Sequence, residues 1–210
     1  MATDNFLDMA DIQLFPYGNA HEVQTIPDDK WKFQCQHGDT ECGWNMVEAC
    51  AKEHLTCPHC TFSFIECIEE NATSRSPDYE GQTNACAKDL MPSQAALAPE
   101  IITCHASKPA GSDEGNALMH SIAVRSEEAF KDKGDSPYQY VPWVVADGVH
   151  SEAINQAVTD DLLAYVCKNF KGEKTAACDK HALDLFYNPR EPLVIEKCPL
   201  AGKADISFLQ

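Results

Sequence analysis

The stretch CQHGDTECGWNMVEAC, residues 35–50, holds three cysteines, one histidine and three acids in sixteen positions. Cysteines at this density are bonded to one another, bound to metal or reactive, and each state dictates a different fold. Zinc knuckles favour paired CxxC or CxxC/HxxxH spacings, whereas Cys35, Cys42 and Cys50 stand seven and eight apart beside a single histidine. Nucleophilic catalysis needs a base near a cysteine, and His37 offers one. A disulfide scaffold asks only for cysteine partners, with His37 and Asn45 hydrogen-bonding the loop. Spacing favours the scaffold and leaves the other two readings open.

The rest of the composition narrows the setting. Eleven cysteines in 210 residues suit an oxidising or endolysosomal compartment better than a reducing cytosol. Asn71-Ala72-Thr73 is a glycosylation acceptor triplet, which fits a secreted protein and a glycoprotein. The opening MATDNFLDMADIQLF shows no basic n-region and no apolar h-region, so no signal peptide is visible in it. No window approaches the length of an apolar membrane span. A formal charge of −17 repels phosphate backbones and anionic lipid, so nucleic acid and membrane surfaces are poor partners. The same charge serves solubility, and it also suits an acidic compartment, where protonation relieves the repulsion. With 44% hydrophobic residues, one generous domain or a small domain with an insertion can build a core.

Periodicity divides the chain into short elements. Asp11–Phe15 alternates as a strand and stops at Pro16-Tyr-Gly-Asn19. Helices are expected over Asn45–His54 and Thr61–Glu70, the second burying Phe62, Ile65 and Ile68, with a loop over residues 71–84. Short helices follow near Ala85–Leu90 and Ser93–Leu97. A longer one over Gly115–Lys131 offers Leu118, Ile122, Val124 and Phe130 to a core. Tyr140–Ala146 reads as a buried strand ending in the turn Asp147-Gly148. Thr159 is expected to cap a helix that buries Leu162, Leu163, Val166 and Phe170. Ala182–Tyr187 reads as a strand, and Pro192–Gln210 as mostly helical.

The order Cys-Gln-His-Gly-x2-Glu-Cys-x2-Asn-x4-Cys resembles the signature of the gamma-interferon-inducible lysosomal thiol reductase family. It is filled here by Cys35, Gln36, His37, Gly38, Glu41, Cys42, Asn45 and Cys50. The likeness extends to Pro16-Tyr-Gly-Asn-Ala20, Leu118-Met-His120, Tyr140-Val-Pro-Trp143 and Leu163-Ala-Tyr-Val-Cys167, and so covers roughly residues 10 to 178. The resemblance implies an α/β thioredoxin-like domain with a helical, disulfide-rich insertion, set at residues 35–105. It also implies reduction of protein disulfides at acidic pH, in a lysosomal or secreted location. Cys35, Cys42, Cys50, Cys67, Cys86, Cys104, Cys167 and Cys178 match the family's scaffold positions, though their pairing does not follow from sequence.

The family's reactive CxxC ends its first strand, upstream of the residues matching Asp11–Ala20. Only ten residues precede them here, and none is cysteine. A sheet of this kind without its central strand would leave two unpaired edges, so another segment is expected to fill the place. The tail, 182–210, is the candidate. Leu183–Tyr187 resembles the first strand and Arg190–Glu196 the first helix, which makes the chain a circular permutant. In a second register, Cys198-Pro-Leu-Ala201 stands where the CxxC belongs, with alanine in place of its second cysteine. A truncated chain with an unrelated tail is the other reading.

A separate pair, Cys57-Pro-His-Cys60, resembles the motif of strongly oxidising periplasmic thioredoxin-like proteins. At a helix N-terminus, backbone N–H groups favour a thiolate, and His59 adds to that. This pair lies in the insertion, so Pro142, matching the cis proline that packs beside reactive cysteines in thioredoxin-like folds, need not face it. A structural disulfide competes with redox function here, as does zinc bound through His54-x2-Cys57-x2-Cys60. His105, His150 and His181 read as surface or satisfied residues.

The expectation is therefore a thiol–disulfide oxidoreductase without cofactor or metal. Cys57 is the nucleophile, Cys60 resolves, and Cys198 is a second candidate. Its partners are disulfide-bonded protein substrates. A non-catalytic member of the same family, kept as a disulfide-stabilised binding or structural protein, is the alternative.

Overall fold

A computed structural model describes residues 6–26, 30–72, 77–105, 112–130, 140–179 and 204–209. After a 3-10 turn at Phe6–Asp8 come strands β1 (Ala10–Phe15), β2 (His21–Ile26) and β3 (Lys30–Gln34). Five helices follow: α1 (Asp39–His54), α2 (Pro58–Asn71), α3 (Tyr79–Ala87), α4 (Pro92–Ala95) and α5 (Ala98–His105). The chain continues through α6 (Asp113–Phe130), β4 (Trp143–Ala146), α7 (Glu152–Asp160), α8 (Leu162–Asn169) and β5 (Ala204–Leu209). It is a helix-rich α/β protein that divides into two compact units, residues 1–14 with 129–209, and residues 15–128. Among the described residues, no helix is long and apolar enough to cross a membrane.

The first unit is built on a three-stranded sheet in the order β1-β5-β4. β5 runs antiparallel to β4, with Trp143 opposite Leu209 and Ala146 opposite Ile206. The end of the chain, expected to be helical, is thus a strand: Ile206 and Phe208, two apart, join one apolar cluster with Met9, Val144, Val158 and Val166. A polar set fixes β4 from its flank. Asn155 Oδ1 accepts from the Val144 N–H at 2.8 Å, and His150 Nδ1 lies 2.7 Å from the Val144 carbonyl. That carbonyl can only accept, so His150 carries its proton on Nδ1. The Val141–Pro142 peptide is cis. Asp147 and Gly148 both take positive φ, as the tight turn after β4 requires. Thr159 lies inside α7 and donates back to the Asn155 carbonyl. The cap expected of it is made instead by Asp161, whose Oδ1 accepts from the Ala164 N–H at 2.8 Å. Cys167–Cys178 closes this unit.

In the second unit, α1 packs on α2, α3 and α5. Its core holds Val47, Cys50, Ala51, Phe64, Ile65, Ile68, Ile101, Cys104 and Met119. Three disulfides tie it: Cys35–Cys42, Cys50–Cys104 and Cys67–Cys86. The opening stretch is therefore scaffold, and His37, largely exposed, pairs with Glu41 at 3.0 Å rather than with a sulfur. Gly38, at φ 89, makes the turn into α1 that a side chain would resist.

Helix boundaries shift from the periodicity. Asp78 caps α3 through the Gly81 N–H, so residues 79–84 are helical rather than loop. α2 buries Phe64 in place of Phe62, and Val124 of α6 faces solvent while Met119 is buried. β2 and β3 form a separate antiparallel ribbon, His21 opposite Gln34. Asn116 of α6 bonds both backbone groups of Trp31 at 2.8 Å, pinning β3 to the helix. The segments 182–187 and 190–196 lie outside the described residues.

One buried ionisable set belongs to this unit. Glu48 of α1 is 1% exposed, and its carboxyl hydrogen-bonds Glu69 of α2. Burial, then that bond and the Glu69 charge, raise the Glu48 carboxyl well above the usual carboxylate range. Lys52, a turn further on, is pushed down to about 8 by burial and then by Arg125. Both cations lie over the Phe15 ring, at 5.3 and 5.7 Å from its centroid.

Candidate active site

The cysteine pair owes its geometry to proline. α2 begins at Pro58, three residues before the periodicity suggests, because proline's fixed φ and missing N–H suit the first helical position. That start makes Cys57 the N-cap. Its sulfur accepts the Cys60 N–H at 3.4 Å, the place a serine or aspartate oxygen commonly takes. The Cys57 carbonyl accepts from the Thr61 N–H at 3.0 Å and from the Thr61 hydroxyl at 3.3 Å, so the backbone is held on both sides of the sulfur. A helix N-terminus and a directed N–H face the atom that carries negative charge in a thiolate.

The two thiols are free and differ in environment. Cys57 is partly exposed, and Cys60 is buried beneath it. Burial, then the hydrogen bond with Cys57, then the Cys57 charge push the Cys60 thiol up to about 12. Two of these causes depend on Cys57 and weaken once its sulfur is tied up in a bond to something else. Cys60 therefore holds its proton while Cys57 is free, and gives it up more readily after Cys57 has reacted.

The turn is also held from outside α2. Gln94 of α4, 7% exposed, accepts the Thr56 N–H at 3.0 Å and donates to the Thr56 hydroxyl at 2.9 Å. Thr56 immediately precedes the N-cap, so this two-point clamp sets where Cys57 begins. Gln94→Ala is expected to slow alkylation of Cys57 several-fold while costing about 1–3 kcal/mol of stability. An unchanged alkylation rate at that stability loss would reduce Gln94 to a structural residue.

Cys57 and Cys60 are thus brought together, and Cys198 lies outside the described residues. His59 lies in the first turn of α2 and is buried. His54 turns to Glu114, 3.0 Å away, and the cluster of ligand-type side chains around it contains Cys104 rather than Cys57 or Cys60. His105 is buried against Tyr79, their ring centres 4.4 Å apart, and His150 is satisfied. His181 lies outside the described residues. Gln94 carried no sequence signal. The early start of α2 did, in the proline behind a cysteine that can cap.

The family model described as gamma interferon inducible lysosomal thiol reductase matches residues 1–90. A goldfish (Carassius auratus) gamma-interferon-inducible lysosomal thiol reductase is 35% identical over 173 residues, 81% of this chain and 60% of that protein. The mouse (Mus musculus) protein of the same name is 33% identical over 84% of this chain and 61% of its own length. A gamma-interferon-responsive lysosomal thiol protein of Arabidopsis thaliana is 31% identical over 80% and 59%. The chain thus spans about six-tenths of the length of these relatives.

Proposed function

We propose that the chain is a member of the gamma-interferon-inducible lysosomal thiol reductase family and a thiol–disulfide oxidoreductase whose reacting pair is Cys57 and Cys60. The observation that carries this reading is the partly exposed Cys57 sulfur at the N-cap of α2, receiving the Cys60 N–H. In the reaction, the Cys57 thiolate attacks one sulfur of a substrate disulfide and expels the other as a thiolate. Cys60 then loses its proton and attacks the Cys57 sulfur, releasing the substrate's second thiol and leaving Cys57–Cys60 oxidised. A dithiol reductant returns the pair to its starting state. Cys198 remains a second candidate nucleophile.

The finer architecture is part of the proposal. The first unit is a thioredoxin-like sheet in which the end of the chain occupies the family's central first strand, as in a circular permutant. Support comes from β5 lying between β1 and β4, antiparallel to β4, and from the cis proline just before β4. Residues 35–105 are the helical insertion, which Cys50–Cys104 and Cys67–Cys86 close. The working compartment is acidic and lysosomal, and the substrates are disulfide-bonded proteins. Asn71, exposed at the end of α2, is the proposed glycosylation site.

Insulin reduction driven by a dithiol tests the activity. The chain should accelerate it at acidic pH, and the double variant Cys57→Ser/Cys60→Ser should match buffer. Equal acceleration by the double variant would move the chemistry to other cysteines.

A further inference from the structure

A second set of reactive side chains runs from the interior of the helical unit to its surface. His54 Nε2, Cys104 Sγ and a Glu114 carboxylate oxygen lie within 4.8 Å of one another. The nitrogen and Glu114 Oε1 are 3.0 Å apart. Cys104 is bonded to Cys50, so a second sulfur lies directly beside the cluster. Cys50 and His54 stand one turn apart on α1 and share a face. Both cysteines are fully buried, whereas the His54 and Glu114 side chains keep 22% and 48% of their surface and open the cluster to solvent.

We propose that Cys50, His54, Cys104 and Glu114 form a latent zinc site that becomes competent when the Cys50–Cys104 disulfide is reduced. The bonded sulfurs are poor ligands. A dithiol delivers two electrons and two protons to the S–S bond, becoming a disulfide itself and leaving two thiols. Zinc then displaces both thiol protons and meets two thiolates, an imidazole and a carboxylate, a four-coordinate donor set of the kind it prefers.

His54, Cys104 and Glu114 already stand close enough to share an ion, and the Cys50 sulfur turns in once the bond to Cys104 opens. A tetrahedral site with metal–ligand distances of roughly 2.0–2.3 Å has edges of roughly 3.3–3.8 Å. The nitrogen–oxygen edge is already close to that. Two sulfurs released from a disulfide retreat to about their non-bonded contact distance, which falls in the same range. The close approach of α6 is built in: a Cβ on Gly115 would stand 2.5 Å from the Cys104 carbonyl oxygen, so glycine lets Glu114 reach the cluster. Ser112 donates to the same carbonyl and accepts the Gly115 N–H at 2.9 Å. Zinc would thereby replace the covalent tie between α1 and α5 and add α6 to it, holding the unit together under the reducing conditions that open the bond.

The test begins with Cys57→Ser/Cys60→Ser/Cys198→Ser, which removes the cysteines outside the four disulfides. Adding Cys50→Ser frees the Cys104 thiol without any reductant. Cobalt, a spectroscopic stand-in for zinc, should bind one per chain, giving tetrahedral ligand-field bands and charge transfer from one thiolate. His54→Asn or Glu114→Gln should weaken binding at least tenfold. In the chain that keeps Cys50, cobalt should show two thiolates after reduction and none before it. Should the reduced chain or the Cys50→Ser variant unfold, zinc is expected to restore its helical circular dichroism and to protect Cys104 from alkylation. Absence of both binding and refolding overturns the proposal, as does an unchanged cobalt spectrum in the His54 and Glu114 variants.

Discussion

Cys57→Ser should abolish disulfide reduction, lowering the rate by about a hundredfold or more, whereas Cys60→Ser should retain the first attack and stop there. The asymmetry follows from burial. Cys57 is partly exposed and caps α2, so it meets a substrate sulfur, while Cys60 is buried and hydrogen-bonded to Cys57 through its N–H. Without Cys60, the mixed disulfide between Cys57 and substrate has no internal escape and accumulates. Mass spectrometry of the Cys60→Ser protein, quenched with acid after mixing with a disulfide-bonded peptide, should find one peptide per chain on Cys57. The same adduct on Cys198, or full turnover by Cys57→Ser, would place the nucleophile elsewhere.

Glu48→Gln should stabilise the protein at neutral pH and leave it nearly unchanged at acidic pH. The Glu48 carboxyl is raised above its ordinary value of 4.5 in the folded chain, so above that pH the folded state holds a proton that the unfolded state has lost. Stability then falls as pH rises, at about 1.4 kcal/mol for each pH unit within the window. Below 4.5 both states are protonated and nothing is lost. Glutamine keeps a donor toward Glu69 and cannot ionise. Thermal melts should show a gain of several degrees at neutral pH, since about 1 kcal/mol moves the melting temperature by 2–4 °C in a chain of this size. A Gln variant less stable than the parent at both pH values would contradict the assignment.

His105 works in the opposite direction. Burial pushes its imidazole down to about 4 from 6.5, so the unfolded chain gains a proton first as pH falls, and stability is lost through that window. The two slopes oppose each other between roughly pH 4.5 and 6.5.

What could be read from the sequence was whatever local chemistry decides. Alternating apolar residues located β1, and the cysteine spacing favoured a scaffold over 35–50 without excluding a metal or a nucleophile. Asp147-Gly148 announced its turn. Decisions made by distant partners were not legible. Ile206 and Phe208 are strand residues because β4 stands beside them, and their local composition reads as well as helix. The cap of α8 went to Asp161 because α7 carries Thr159 past the break. Glu48 looks like one more surface acid in an acidic chain until α2 covers it. At the candidate site the cysteines were visible, but the Gln94 clamp joins residues 38 apart through a fold that spacing cannot anticipate.

The measurement that bears most directly on the central claim is differential alkylation of the cysteines, mapped by mass spectrometry before and after mild reduction at acidic and at neutral pH. A redox centre at the N-cap of α2 predicts that Cys57 and Cys60 are the first to exchange. Cys57 should be labelled first, Cys60 should lag, and the four disulfides should stay closed. Labelling confined to Cys198, with Cys57 and Cys60 locked together through reduction, would make the pair structural and contradict the account.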